Sequence, residues 1–336
     1  MSLPHPGRAP GPLPLRGTAR RARSLLKRWE AVLVILLIAI CGVNSIASPY
    51  FLDVHNLFDS TQGFTEKAIV ALSMTLVIIG RDIDLSVAAI IALCSTAIGW
   101  LATLGVGTTG LLAGSLVVGT AAGAFNGALI TRFRIQAIVV TIGTMSLFRG
   151  ISYAVLGDTA YTSYPDGFDE LGQGTLWGLI PYELLVFAVL AIASSLVLHR
   201  TVIGRRLFAY GNNPEAALYS GINVDAHRFW FFTVNGTLSG LASAFLTSRI
   251  GATRPNIATS WELDVIAVVV LGGVSILGGS GTLPGVILAV FVMGMLTFGL
   301  GLMNVPGIMM SIITGLLLIV AIAAPLVIRR IVPRRV

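Results

Sequence analysis

Residues 283–301 read LPGVILAVFVMGMLTFGLG, a run without a single Asp, Glu, Lys or Arg. A helix over this stretch is about 28 Å long at 1.5 Å per residue, close to the hydrocarbon core of a bilayer, about 30 Å thick. Lipid offers no hydrogen bonds to unpaired backbone groups, so a run of this kind must be helical. Comparable runs occupy 30–47, 64–80, 85–104, 109–131, 136–157, 180–199, 229–249, 261–278 and 305–328. The whole chain agrees with them: of 336 residues, 55% are hydrophobic and 11% charged, whereas globular domains carry roughly 25% charged residues. The strand-period alternation of an outer-membrane barrel is absent. The expected fold class is therefore an all-α polytopic membrane protein of about ten transmembrane helices.

Basic residues sort by loop, and loops rich in Lys and Arg stay on the cytoplasmic side. Arg8 to Arg28, the turn with Arg132 and Arg134, the loop with Arg200, Arg205, Arg206 and Arg228, and the end with Arg329, Arg330, Arg334 and Arg335 fall on one side if there are ten spans. The connection from Gly157 to Leu179 falls on the other side, with Asp158, Asp166, Asp169 and Glu170 and no basic residue. Both termini are thus expected in the cytoplasm, with 1–28 a disordered basic tail, 29–330 the transmembrane domain and 331–336 a short tail. The apolar run from Ala31 to Val43 imitates a signal peptide, but the long basic region before it favours a retained first span. The net charge of +7 resides in tails and loops, so nucleic acid is not expected as a partner.

Several chemistries are excluded. The two lysines, Lys27 and Lys67, do not follow a glycine, so there is no phosphate-binding loop. Zinc and nucleophile-elbow motifs are missing as well. Cys41 and Cys94 lie in apolar stretches without partner spacing, which suggests neither a disulfide nor a metal site. Gly119, Gly123 and Gly127 share one helix face, as do Gly236 and Gly240, and both patterns indicate close helix packing.

Three local stretches interrupt the apolar text. In 211–221, GNNPEAALYSG, Asn213 suits an N-cap, Pro214 the first helical position, Glu215 the positive end of the helix dipole and Gly221 the position after the C-cap. A helix of about two turns near 213–220 is too short to persist alone. It fits either a groove on a soluble partner or the lipid headgroup surface. In 80–86, GRDIDLS, Asp84 can cap the following helix. In 271–282, LGGVSILGGSGT, the glycines are dense enough to unwind a helix. Both latter stretches are either broken helices lining a cavity or simple turns.

Taken in order, Ile83–Ser86, Gly211–Ile222 and Val270–Thr282 resemble the signatures of the ribose-type (branched-chain/monosaccharide) permeases of bacterial ABC sugar importers, and the likeness covers about 30–330. Phe64–Ala68, Val140–Gly150 and Asn304–Ile308 are most similar to rhamnose transporter permeases. The resemblance implies a non-catalytic subunit of the bacterial inner membrane that works by alternating access. The implied partners are a cytoplasmic ABC ATPase carrying ATP and Mg, a second permease of the same or a paralogous kind, and a periplasmic sugar-binding protein. It also implies that Asn213, Pro214, Glu215, Ala216, Ala217 and Gly221 form the ATPase-coupling helix. The sequence departs from the family at Arg81, where relatives usually carry glycine.

Arg149 is the basic residue deepest in a span, and such a charge must face protein or water. Glu262 and Asp264 fall in the same half of the membrane, so an ion pair with one of them is expected ahead of a role in the substrate path. The main rival to an ATP-driven permease is an ion-coupled secondary sugar carrier, which would need ionisable residues buried in its spans.

Overall fold

The computed structural model describes residues 16–157 and 159–331. The elements in chain order are α1 (Arg16–Ala47), α2 (Val54–Ile79), α3 (Val87–Thr103), α4 (Thr108–Arg132), α5 (Ala137–Leu156), α6 (Asp169–Gln173), β1 (Thr175–Leu176), β2 (Ile180–Pro181) and α7 (Tyr182–Arg200). They continue with α8 (Val202–Asn212), α9 (Pro214–Tyr219), α10 (Val224–Ile250), α11 (Trp261–Leu271), α12 (Leu283–Leu302) and α13 (Gly307–Ile331). Each of the ten expected spans has a helix at its place. Among the described residues, seven helices are long and apolar enough to cross a membrane, while Val87–Thr103 and Gly307–Val320 are shorter apolar segments.

One boundary corrects the sequence reading. The expected span 261–278 ends at Leu271, because Gly272 and Gly273 stop the helix and Gly273 takes φ +89°. At about 16 Å, α11 cannot cross the membrane alone. The helix α1 begins at Arg16, within the stretch expected as the basic tail. Ala19 to Ala22 and Leu25 to Lys27 are good helix formers that extend the helix once the apolar part has nucleated it, despite Gly17 and Thr18 in its first turn. Residues 1–15, Asp158 and 332–336 lie outside the described residues.

The bundle centres on α2, α3, α4 and α10. Facing glycines set the α4–α10 contact: a Cβ at Gly119 would meet the carbonyl oxygen of Gly236, and one at Gly236 would meet that of Gly119. Ser115 Oγ donates to the Gly240 carbonyl at 2.7 Å, and Thr120 and Thr237 share a bond at 2.8 Å. Small residues thus bring the two backbones together and hydroxyls join them, as expected where lipid supplies no hydrophobic drive between helices. On the other side, α1 packs along α12, with Asn44 Nδ2 donating to the Met295 carbonyl at 3.0 Å. Trp29 Nε1 donates to the Leu271 carbonyl at 2.9 Å, capping the end of α11.

Candidate coupling site

The short helix α9 forms as its local signals require. Asn213 caps it, its Oδ1 accepting from Ala216 N at 3.1 Å, and Pro214 opens the first turn with Glu215. At the other end Gly221 takes φ +79°, its N–H donating to the Leu218 carbonyl at 3.0 Å, while Ile222 N–H donates to Ala217 at 3.0 Å. This pairing closes the helix as a Schellman motif. A Cβ at Gly221 meets nothing within 4 Å, so replacement by a β-branched residue costs only the left-handed backbone, about 1–2 kcal/mol. Of the apolar side chains, Ala217 is buried, while Leu218 and Tyr219 are 62% and 91% exposed. The outward face of α9 is therefore Glu215, Ala216, Leu218 and Tyr219.

Directly behind α9 the three interrupted stretches meet. The Gly279 N–H donates to the Ile79 carbonyl at 2.8 Å, and Asn212 Nδ2 donates to the Gly279 carbonyl at 2.9 Å. Gly211 lies so close that a Cβ would strike the Ile79 carbonyl oxygen and the Gly279 nitrogen. At Gly80 a Cβ would meet the Tyr210 hydroxyl. The end of α8, the end of α2 and the glycine-rich loop 272–282 are thus one backbone-to-backbone junction. Tyr210 is buried there, and burial, then the charge of Asp82, push its hydroxyl far above the usual phenol range, so it stays neutral.

An ion pair adds to this junction. Arg228, near the start of α10, grips Asp82 with both arms, Nε to Oδ2 at 2.7 Å and Nη2 to Oδ1 at 2.6 Å. The fork geometry is specific to arginine. A second polar network lies deeper. Asp84 is fully buried and accepts from Ser86 N at 2.8 Å, Ser86 Oγ at 2.6 Å and Asn235 Nδ2 at 2.9 Å. Ser73 Oγ donates to Asn235 at 2.7 Å, and Asn126 Nδ2 to Ser86 at 2.8 Å. The sequence led us to expect Asp84 as the cap of α3. Its side chain instead closes a turn onto Ser86, which itself takes the N-cap position, because a carboxylate two residues upstream reaches that nitrogen first.

Arg81 takes φ +69° and is exposed. Glycine adopts this conformation without strain, whereas arginine does not. Arg81→Gly should stabilise the protein by about 1 kcal/mol, read as a higher midpoint of thermal unfolding in detergent; an unchanged or lower midpoint would contradict the strain.

The other candidates named from the sequence do not join this site, and the expected ion pair of Arg149 is absent. Its Nη1 donates to the Pro255 and Ile257 carbonyls at 2.7 and 2.8 Å, because the irregular segment between α10 and α11 turns unused carbonyls toward it. Asp264 is exposed and paired with Lys67 at 2.5 Å, and Lys67 also lies 5.0 Å from the centre of the Trp261 ring. Glu262 is half-buried in the first turn of α11.

Toward the opposite end of the bundle, α2, α11, α12 and α13 border an open cavity of about 1010 Å³. Its wall combines Phe64 and Phe298 with Gln62, Lys67, Gln173, Arg249 and Asp264. Arg249 Nε donates to the buried Glu66 at 2.6 Å. The sequence reading placed no role on Asp82, Arg228, Glu66 or Arg249. The only signal for Glu66 was a charged pair, Glu66-Lys67, inside otherwise apolar text.

A family model described as the permease component of the branched-chain amino acid transport system matches residues 57–322. The chain belongs to this permease family. It is 32% identical to the ribose import permease protein RbsC of Escherichia coli (strain K12) over 311 residues, 91% of this chain and 97% of that protein. It is 34% identical to the autoinducer 2 import system permease protein LsrD of Photorhabdus temperata over 300 residues, 88% and 90% of the two chains. The LsrD of Yersinia enterocolitica shows the same identity over 300 residues, 88% of this chain and 90% of its own. No solved structure matches. As a permease component the chain is non-catalytic, and the ATPase is a separate partner. Family and apolar helices together make it a multi-pass protein of the inner membrane.

Proposed function

We propose that this protein is the permease of an ATP-driven importer for a small sugar or sugar-like molecule, with both termini and α9 in the cytoplasm. The family assignment carries the transport role, and relatives named for ribose and autoinducer 2 import favour the substrate class. Rhamnose, implied by the likeness of Phe64–Ala68, Val140–Gly150 and Asn304–Ile308, gains no support from these relatives. An ion-coupled secondary carrier is not favoured by a family of importer permeases that work with a separate ATPase.

In this reading, Leu218 and Tyr219 on α9 enter a groove of the cytoplasmic ATPase, around a helix held ready by Asn213 and Gly221. Movement of α9 passes through Asn212 and Gly211 to Gly279 and Ile79, and so to the ends of α2 and α11. Those helices wall the cavity, where aromatic faces and amide side chains suit a polyhydroxylated neutral solute. A periplasmic binding protein delivers the solute, and a second permease completes the membrane core. Across the cycle the Asp84 network holds α2, α3, α4 and α10 as a unit.

Uptake of a labelled panel of ribose, xylose and rhamnose by the complete reconstituted assembly tests this. ATP alone, without an ion gradient, should drive uptake of at least one sugar. Uptake driven by a proton or sodium gradient in the absence of ATP would overturn the proposal.

A further inference from the structure

Three of the four carboxylate oxygens of Glu66 and Glu183 are buried and accept no hydrogen bond from the described residues. Glu66 is 0% exposed and Glu183 1%. Glu66 projects from the middle of α2 and Glu183 from the first turn of α7, which packs against α2. Among the described residues Arg249, at the end of α10, is the one cation paired with either, through its bond to Glu66. The first turn of α7 and the end of α10 meet at α6: Tyr182 N–H donates to the Gly174 carbonyl at 3.0 Å, and Gln173 Nε2 donates to the Arg249 carbonyl at 3.0 Å. Lys67, next to Glu66 in the chain, spends its charge on Asp264, with which it is paired, and also lies over Trp261. On α6, Asp169 and Glu170 are exposed, and neither α12 nor the β1–β2 hairpin carries a titratable side chain on its described residues.

Two ionised carboxylates against one guanidinium would leave a net negative charge in a site that water does not reach, an arrangement proteins avoid by keeping a proton. We propose that Glu66 and Glu183 form a proton-binding dyad that holds one resident proton behind Arg249 on the cavity wall. One proton and one guanidinium balance two carboxylates. The proton stays in place through the transport cycle, so that one ionised carboxylate remains to neutralise Arg249. Its loss would put a negative charge directly behind the cavity cation that is backed by a buried acid. Interacting carboxylates of this kind titrate as a pair, so the proton belongs to the dyad and not to either residue.

The test is infrared spectroscopy of the full chain in lipid nanodiscs at neutral pH, in the carbonyl-stretch region of protonated carboxylic acids. Measured as the difference from a Glu66→Gln/Glu183→Gln double variant, which cancels any band of the buried Asp84, the wild type should show one such band that shifts on deuteration. Either Glu183→Gln or Glu66→Gln should remove it, because the remaining carboxylate pairs with Arg249. Arg249→Gln should double its intensity, since two carboxylates without a cation need two protons. A band lost in Glu183→Gln but kept in Glu66→Gln and unchanged in Arg249→Gln would make Glu183 an independent acid and overturn the dyad. So would a wild type without the band in that difference spectrum, or a difference band that survives in both single glutamine variants. If one glutamine variant fails to accumulate, the other together with Arg249→Gln decides.

Discussion

Arg228→Ala should remove most folded protein from the membrane. The substitution leaves Asp82, 8% exposed, without the two bonds that hold it. Removing one partner of a buried pair costs about 3–5 kcal/mol, and partial access of water to Arg228 places the expected loss near about 3 kcal/mol. That corresponds to roughly a hundredfold in the folding equilibrium. Asp82→Asn in the same chain should restore part of the yield, because an amide is cheaper to bury than an unpaired carboxylate. Fluorescence size-exclusion of the detergent-solubilised variants reads both effects. Equal yields for wild type and Arg228→Ala would mean that the pair is a surface contact of little worth.

Gly236→Val should be at least as damaging, for a different reason. At this position a Cβ meets the Gly119 carbonyl oxygen and lies 2.7 Å from Gly123 Cα and N. All three are backbone atoms, so no rotamer change relieves the overlap. Overpacking of a well-packed core costs about 1–3 kcal/mol and occasionally more; here two helices must separate, and the bonds from Ser115 to Gly240 and between Thr120 and Thr237 separate with them. Gly143→Val, with nothing within 4 Å of its Cβ, serves as the control and should leave yield unchanged. Thermal unfolding of the two variants in parallel distinguishes a packing role from a general intolerance of valine in apolar helices.

Features set by neighbouring residues were legible in the sequence. Asn213, Pro214 and Gly221 specify α9 because capping acts within one turn. The glycines at 119, 123 and 127 and at 236 and 240 marked close approach because only the absent Cβ permits it, although nothing in the text said that the two faces meet each other. Features set by distant residues were not legible. The span read as 64–80 starts at Val54, where Asp53 caps a polar first turn that hydropathy ignores. That error put Glu66 at a helix end and hid its burial. Arg149 was assigned an acid because acids leave a mark in sequence, whereas the backbone carbonyls it uses leave none. The three interrupted stretches were each visible, and their convergence at Ile79, Gly211 and Gly279 depends on backbone contacts that residue identity alone does not show.

The central claim, that α9 is the surface through which the ATPase moves the permease, is tested most directly at Tyr219, its most exposed side chain. A photo-crosslinking amino acid placed at position 219 in the complete transporting assembly should form an adduct with the ATPase subunit, with a yield that changes between nucleotide-free and ATP-bound states. An assembly that still transports sugar but forms adducts only with lipid at this position would contradict the account.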